Sequence, residues 1–173
     1  MERITTASRL ADFHLAASEV ACKCCGRLDL ALPAAQLHAK LREKLGPIVV
    51  ASGCRCPRNV AGIIADPNIP TKAGSVLTAA HASILPTDRI TMGGKVISRP
   101  CTALDPRVPP GMTRPQFAKV VSATAKGLFG EDARIGLDYP MGWPVHYDLF
   151  PLVLRLAGMP NPDPVNIAPG VRW

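Results

Sequence analysis

The chain has 173 residues and a formal net charge of +7, from 20 Lys and Arg against 13 Asp and Glu, and 47% of its residues are hydrophobic. That length suffices for one domain over 1–173 with a buried core, and no apolar run approaches the roughly 18 residues a membrane span needs. A basic surface favours polyanions. Aromatic residues make up only 5% of the chain, with no basic-aromatic platform or zinc-finger spacing, which disfavours nucleic acid as the partner.

The opening residues Met1-Glu2-Arg3-Ile4-Thr5-Thr6 lack the apolar core of a secretory signal. Residues 1–27 read as an irregular, Cys-containing lead-in with a short helix near 9–13. Cys22, Cys24, Cys25, Cys54 and Cys56, with Cys101 further on, could hold a structural zinc, pair as disulfides or stay as thiols. Their spacing leaves all three open. Pro33 in a first turn, the stripe Leu37, Leu41 and Leu45, and the stop at Gly46-Pro47 predict a helix. His38, Lys40, Arg42, Glu43 and Lys44 are expected on its solvent side.

Residues 48–51 predict a short buried strand that delivers Ser52-Gly53-Cys54-Arg55-Cys56-Pro57 onto a loop. Residues 58–80 show little periodicity and read as a long loop ending at His81, of a length usually functional or mobile. Residues 88–92 and 95–97 form an expected hairpin around Gly93-Gly94, and 98–112 a connector rich in Pro and Gly. Thr113 caps a second helix carrying Phe117, Val120, Val121, Thr124 and Leu128, which ends around Gly127 and Gly130. Residues 134–137 and 145–149 are the last predicted strands, joined by Tyr139-Pro140-Met141-Gly142. A short helix at 152–156 and a Pro-rich tail over 158–173, wrapping the surface, complete the chain. Helices that precede and interrupt antiparallel strands indicate an α+β class, a small antiparallel sheet flanked by helices.

His81, Asp88 and His146 supply two imidazoles and one carboxylate, the ligand set of an open zinc site with water in the fourth position. Asp148 lies two residues after His146 and shares its face of a strand, so it can act as general base or orient the imidazole. Asp138 is the other candidate base.

The order Glu19…Cys22…Cys25-Gly26, a helix, Ser52-Gly53-x-Arg55-Cys56-Pro57, His81 with Asp88, then Gly136…Tyr139-Pro140…Val145-His146-x-Asp148, covers most of the chain. It resembles the zinc D-Ala-D-Ala carboxypeptidase family of peptidoglycan peptidases, including phage endolysins built on that domain. The resemblance implies a hedgehog-like fold, Zn2+ held by His81, Asp88 and His146, and hydrolysis of amide bonds in cell-wall stem peptides. It implies that Arg55 reaches the substrate carboxylate or the oxyanion, a role suited to a guanidinium fork, with Ser52 beside it and Trp143 lining the cleft. Both L,D- and D,D-cleavage, and endo- and carboxypeptidase action, remain open.

A wall hydrolase without a signal peptide fits a phage endolysin that passes from the host cytoplasm to the wall, or a component of the virion tail. The chain also departs from the family pattern. Ala79 stands where relatives carry Ser, Ile84 and Pro86 stand where Gly and Ala are typical, and Trp143 stands where many relatives place a carboxylate. A second expectation follows, that of a catalytically degenerate member of the fold acting as a structural or binding part of a phage tail alongside other tail proteins.

Overall fold

The computed structural model describes residues 1–69, 74–137, 140 and 142–172. In chain order these residues form β1 (Arg3–Ile4), α1 (Ala7–Ala11), α2 (Ala17–Val20), β2 (Leu30–Ala31), α3 (Leu32–Leu45), β3 (Val50–Ser52) and α4 (Pro57–Ala65). A 3-10 turn follows at Pro86–Asp88. Then come β4 (Thr91–Met92), β5 (Lys95–Val96), β6 (Ala103–Pro106), α5 (Arg114–Phe129), β7 (Arg134–Gly136), β8 (His146–Asp148) and α6 (Phe150–Leu156). The class is mixed helix and sheet with small antiparallel sheets, as expected. Among the described residues no helix is long and apolar enough to cross a membrane.

The main sheet is antiparallel with strand order β3-β6-β8-β7, and the pairs β1-β2 and β4-β5 stand apart from it. Its register pairs Ala103 with Asp148, Leu104 with Tyr147, and Gly136 with His146. Because side chains alternate across a strand, the two faces separate by chemistry. Leu104, Ile135 and Tyr147 point into an apolar core shared with Leu37 and Leu41 of α3 and with Phe117 and Val121 of α5. The opposite face carries Arg134, Asp148, His146 and Asp105, all buried. A register shift between Val50 and Ser52 sets Ser52 across from Asp105 on that polar face.

The two long helices form where the apolar stripes predict them. Thr113 caps α5, its hydroxyl accepting from the Gln116 amide, and Gly130 closes it with a left-handed φ of 71°. His38 is a correction. It is fully buried on α3, with Nδ1 2.6 Å from the Tyr147 hydroxyl, because it sits one residue after Leu37 on the stripe that faces the sheet. Burial pulls its pKa down to about 3, so it is a neutral core group.

Three irregular readings also give way. The lead-in contains β1, α1 and α2, with Thr6 accepting from the Arg9 amide at the start of α1. The loop expected at 58–80 begins as α4, where Pro57 sits in the first turn and Val60 packs with Ala82 and Ile84. The connector expected at 98–112 contains β6, an inner strand of the main sheet. The hairpin does turn at Gly93-Gly94, both with positive φ, but it is only Thr91–Met92 against Lys95–Val96. In the tail Ile167 is buried and Arg172 bridges to Ile135, so the tail packs on the domain.

Two groups fix the chain around the polar face. Arg99 is 1% exposed and donates to the carbonyls of Val76, Leu77, Ala79 and Ala82, holding the segment that bears His81. Gly53 is pressed on α2, and a Cβ there would lie 2.7 Å from both Cα and O of Val20, which as backbone cannot swing aside. Gly53→Ala is therefore expected to cost about 1–3 kcal/mol through forced displacement. Calorimetry should register that loss as a Tm drop of roughly 2–4 °C per kcal/mol for a chain of this size. An unchanged Tm would mean that the strand end and α2 are not in contact.

Candidate metal centre

His81 lies in the segment after α4 and is anchored through its backbone: its carbonyl accepts from Arg55 N at 2.9 Å, and Ser83 N donates to the Arg55 carbonyl at 2.9 Å. Asp105 on β6 and His146 on β8 come from adjacent strands. The Leu104–Tyr147 pairing places them opposite each other on the next rung. The result is a close triangle. His81 Nε2 is 2.9 Å from Asp105 Oδ1, His146 Nδ1 is 3.0 Å from the same oxygen, and the two nitrogens are 3.1 Å apart.

The far side of each imidazole decides what those nitrogens carry. His81 Nδ1 is 2.6 Å from the Gly53 carbonyl, which can only accept, so Nδ1 bears the proton. His146 Nε2 is 2.8 Å from Asp148 Oδ2 and bears its proton for the same reason. When both rings are neutral, two nitrogen lone pairs and a carboxylate oxygen face one another. Three acceptors at that range repel unless a cation sits among them. An ion about 2.0–2.1 Å from each ligand, in tetrahedral geometry, would set the ligands roughly 3.3 Å apart, close to the distances here. The residues present therefore fit a divalent metal with mixed N and O donors, and zinc accepts that set.

Only part of the expected ligand set comes together. His81 and His146 converge, but Asp88 does not join them. It lies in the 3-10 turn, where both its oxygens accept from the Arg27 guanidinium, at 2.6 and 2.9 Å, and one also accepts from the Leu85 amide. That pairing holds its carboxyl below the ordinary range. Asp105, absent from the sequence-based expectation, is the carboxylate at the centre. One signal could have found it. Asp105 follows Ala103 and Leu104 in a short apolar run, and a carboxylate buried in such a run needs a polar partner.

Asp148 is placed to orient an imidazole. It is fully buried, and its oxygens accept from Arg134 Nε at 2.9 Å, Arg134 Nη2 at 2.8 Å, the Phe150 amide at 2.8 Å and His146 Nε2. A carboxylate hydrogen-bonded to a ligating histidine fixes both its tautomer and its ring orientation. Asp138, the other expected base, lies outside the described residues, as does Tyr139. Arg55 lies beside Asp105. Its Nη2 donates to Asp105 Oδ2 at 3.1 Å and to the Ser52 hydroxyl at 3.0 Å, so Ser52 positions Arg55. Trp143, 43% exposed, stands at the rim.

These groups open into a cleft of about 560 Å³, within the usual range for a ligand site. One wall is apolar, from Val60, Ile63 and Ile64 of α4, and the other is the C-terminal tail with Ile167 and Arg172. Arg55 and Arg134 also line it, as do Asp105 and Asp163, so its polar lining carries both signs of charge. No family model, curated protein or solved structure matches the chain.

Without metal, a proton takes the cation's place. Burial by itself lowers the His81 pKa, but the adjacent Asp105 carboxylate outweighs it and raises the pKa from 6.5 to about 9. Burial likewise opposes ionisation of Asp105, yet His81 and His146 hold its carboxyl well below the usual range. Stability from the raised histidine is fully present below pH 6.5 and fades as pH rises through about 9. Stability from the depressed carboxylate is present above 3.8 and fades as pH falls below it. Chelator-treated protein should therefore melt highest in the window between, and lose Tm from neutral pH towards 9. A metal-free Tm that climbs over that range would contradict the pairing.

Proposed function

We propose that the protein is a zinc-dependent peptidase of bacterial peptidoglycan, phage-encoded, with the hedgehog-like fold of the zinc D-Ala-D-Ala carboxypeptidases it resembles. Its place would be an endolysin or a tail-associated wall hydrolase. The observation that carries this reading is the convergence of the ligating atoms of His81, Asp105 and His146 in a cleft that Arg55 also lines. When bound, a zinc ion in such a set lowers the pKa of a water to about 7 and polarises a carbonyl, which amide hydrolysis requires.

The chain's own residues supply the rest. Gly53 O and Asp148 each hold one imidazole by its outer nitrogen, so the ligating nitrogens are set before any ligand arrives. Arg134 and the Phe150 amide in turn immobilise Asp148. Arg55 steadies Asp105 through Nη2. Among the described residues its other guanidinium nitrogens make no hydrogen bond, which suits them to a substrate carboxylate or to the oxygen that gains charge as the amide is attacked. Asp148 is committed to Arg134 and His146, and Asp138 is the other proton acceptor that the sequence offers. The basic surface, at net charge +7, would assist adhesion to an anionic wall.

The same commitment of Asp148 favours the second reading, a metal-holding but inactive component of a phage tail. Mass spectrometry of muropeptides released from purified walls separates the two. Wild-type protein should release stem-peptide fragments. Chelator or Asp105→Asn should abolish release, and Asp88→Asn should leave it near the wild-type rate. Arg55→Ala should keep its metal but lower kcat by about 10²–10³-fold, the usual effect of losing one oxyanion donor. Metal-loaded wild-type protein that releases nothing would sink the enzyme and leave the tail component standing.

A further inference from the structure

A second cluster of ligating atoms lies apart from this centre. The sulfurs of Cys22, Cys24, Cys25 and Cys56 all fall within 4.8 Å of one another, and all four cysteines are free. Cys24 Sγ and Cys56 Sγ are 3.5 Å apart, far beyond a bonded pair at about 2.05 Å. A tetrahedral zinc–thiolate site, with bonds of about 2.3 Å, separates its sulfurs by roughly 3.8 Å.

The backbone around the cluster has the form that thiolate ligands require. Cys22-x-x-Cys25-Gly26 is a tight turn, in which Gly26 N donates to the Cys22 carbonyl at 2.8 Å and Cys22 N donates to the Arg27 carbonyl at 2.8 Å. Gly26 has a φ of 71°, a conformation that disfavours a side chain. The Cys22 sulfur accepts from the Cys56 amide at 3.3 Å, and the amides of Cys24 and Cys25 also point to it. Cys56 is the N-cap of α4, where the helix dipole favours a negative sulfur. Four thiolates around a divalent ion leave a net charge of 2−, and the Arg27 guanidinium interacts electrostatically with Cys25 and Cys56.

We propose that Cys22, Cys24, Cys25 and Cys56 bind a structural zinc ion as a tetrathiolate site, independent of the His81–Asp105–His146 centre. Thiolates select a soft or borderline cation, and a closed set of four suits a structural role. On binding, each thiol gives up its proton to solvent and no redox change occurs. The ion would join the lead-in to the residue that follows Arg55. Since Arg55 is bonded through its backbone to His81 and Ser83, it would also brace the floor of the cleft.

Cys24 and Cys25 are exposed, so Cys24→Ser with Cys25→Ser removes two ligands without opening the core. Metal analysis of the whole chain should show that this double variant loses one equivalent of zinc relative to wild type. Asp105→Asn should lose a different equivalent and keep this one. Cobalt-loaded wild-type protein should show an intense sulfur-to-metal charge-transfer band that the double variant lacks. In the zinc-loaded native protein Cys24 and Cys25 should resist a thiol reagent until chelator is added. Immediate reaction of both thiols, an unchanged zinc content in the double variant, or a mass deficit of two hydrogens per disulfide would each overturn the site. None of these readouts depends on peptidase activity, so the two proposals fail separately.

Discussion

Two imidazole nitrogens and a carboxylate oxygen held about 3 Å apart form an arrangement that a fold keeps only with a cation among them. Three acceptors so close repel strongly in a buried setting, where low dielectric magnifies the interaction. Much of the structure holds that triangle rigid: a proton occupies it in the metal-free chain, and the donor set also suits a metal ion. The clearest sign is on the outer side of each ring, where Gly53 O and Asp148 leave no alternative tautomer.

The sheet makes this possible by dividing its two faces. Leu104, Ile135 and Tyr147 bury into the helical side, while their neighbours Asp105, Arg134, His146 and Asp148 share the other face. Burying so many charges costs desolvation, which close pairing offsets only when every lone pair has a donor. Arg134 with Asp148 meets that condition, since both carboxylate oxygens are saturated. Arg99 meets it differently. Among the described residues its guanidinium makes no ion pair, and four backbone carbonyls with the ring of Phe150 4.4 Å away take its charge.

The parts legible in the sequence were those with a local signal. Apolar stripes and caps place α3 and α5, and alternation along β8 puts His146 and Asp148 on one face, where both lie. His81 and Arg55 reach the site from loops that the resemblance singles out. Asp105 was hidden because the segment between His81 and its partner carboxylate makes a long excursion, through the turn at Pro86–Asp88 and the β4–β5 hairpin. Asp88 stands at a plausible spacing, but a nearby guanidinium takes it. Spacing along the chain says nothing about such competition. The strand bearing Asp105 was obscured for a related reason. Pro100 and Pro106 bracket it and make the region resemble a connector, although Pro106 ends the strand and does not interrupt it.

His38 and Asp148 show the limit of reading residue type without surroundings. A histidine among Lys40, Arg42 and Glu43 looks solvent-facing, yet its position next to Leu37 turns it into the core. A carboxylate two residues from a candidate ligand histidine has the reach of a base, yet Arg134 from the adjacent strand converts it into a fixed acceptor. In both cases the deciding partner comes from another strand or helix, Tyr147 for His38 and Arg134 for Asp148. The chemistry open to an ionisable side chain here is set by the partner that the fold brings to it. That is why the same carboxylate chemistry gives a candidate ligand at Asp105, an orienting group at Asp148 and a simple ion pair at Asp88.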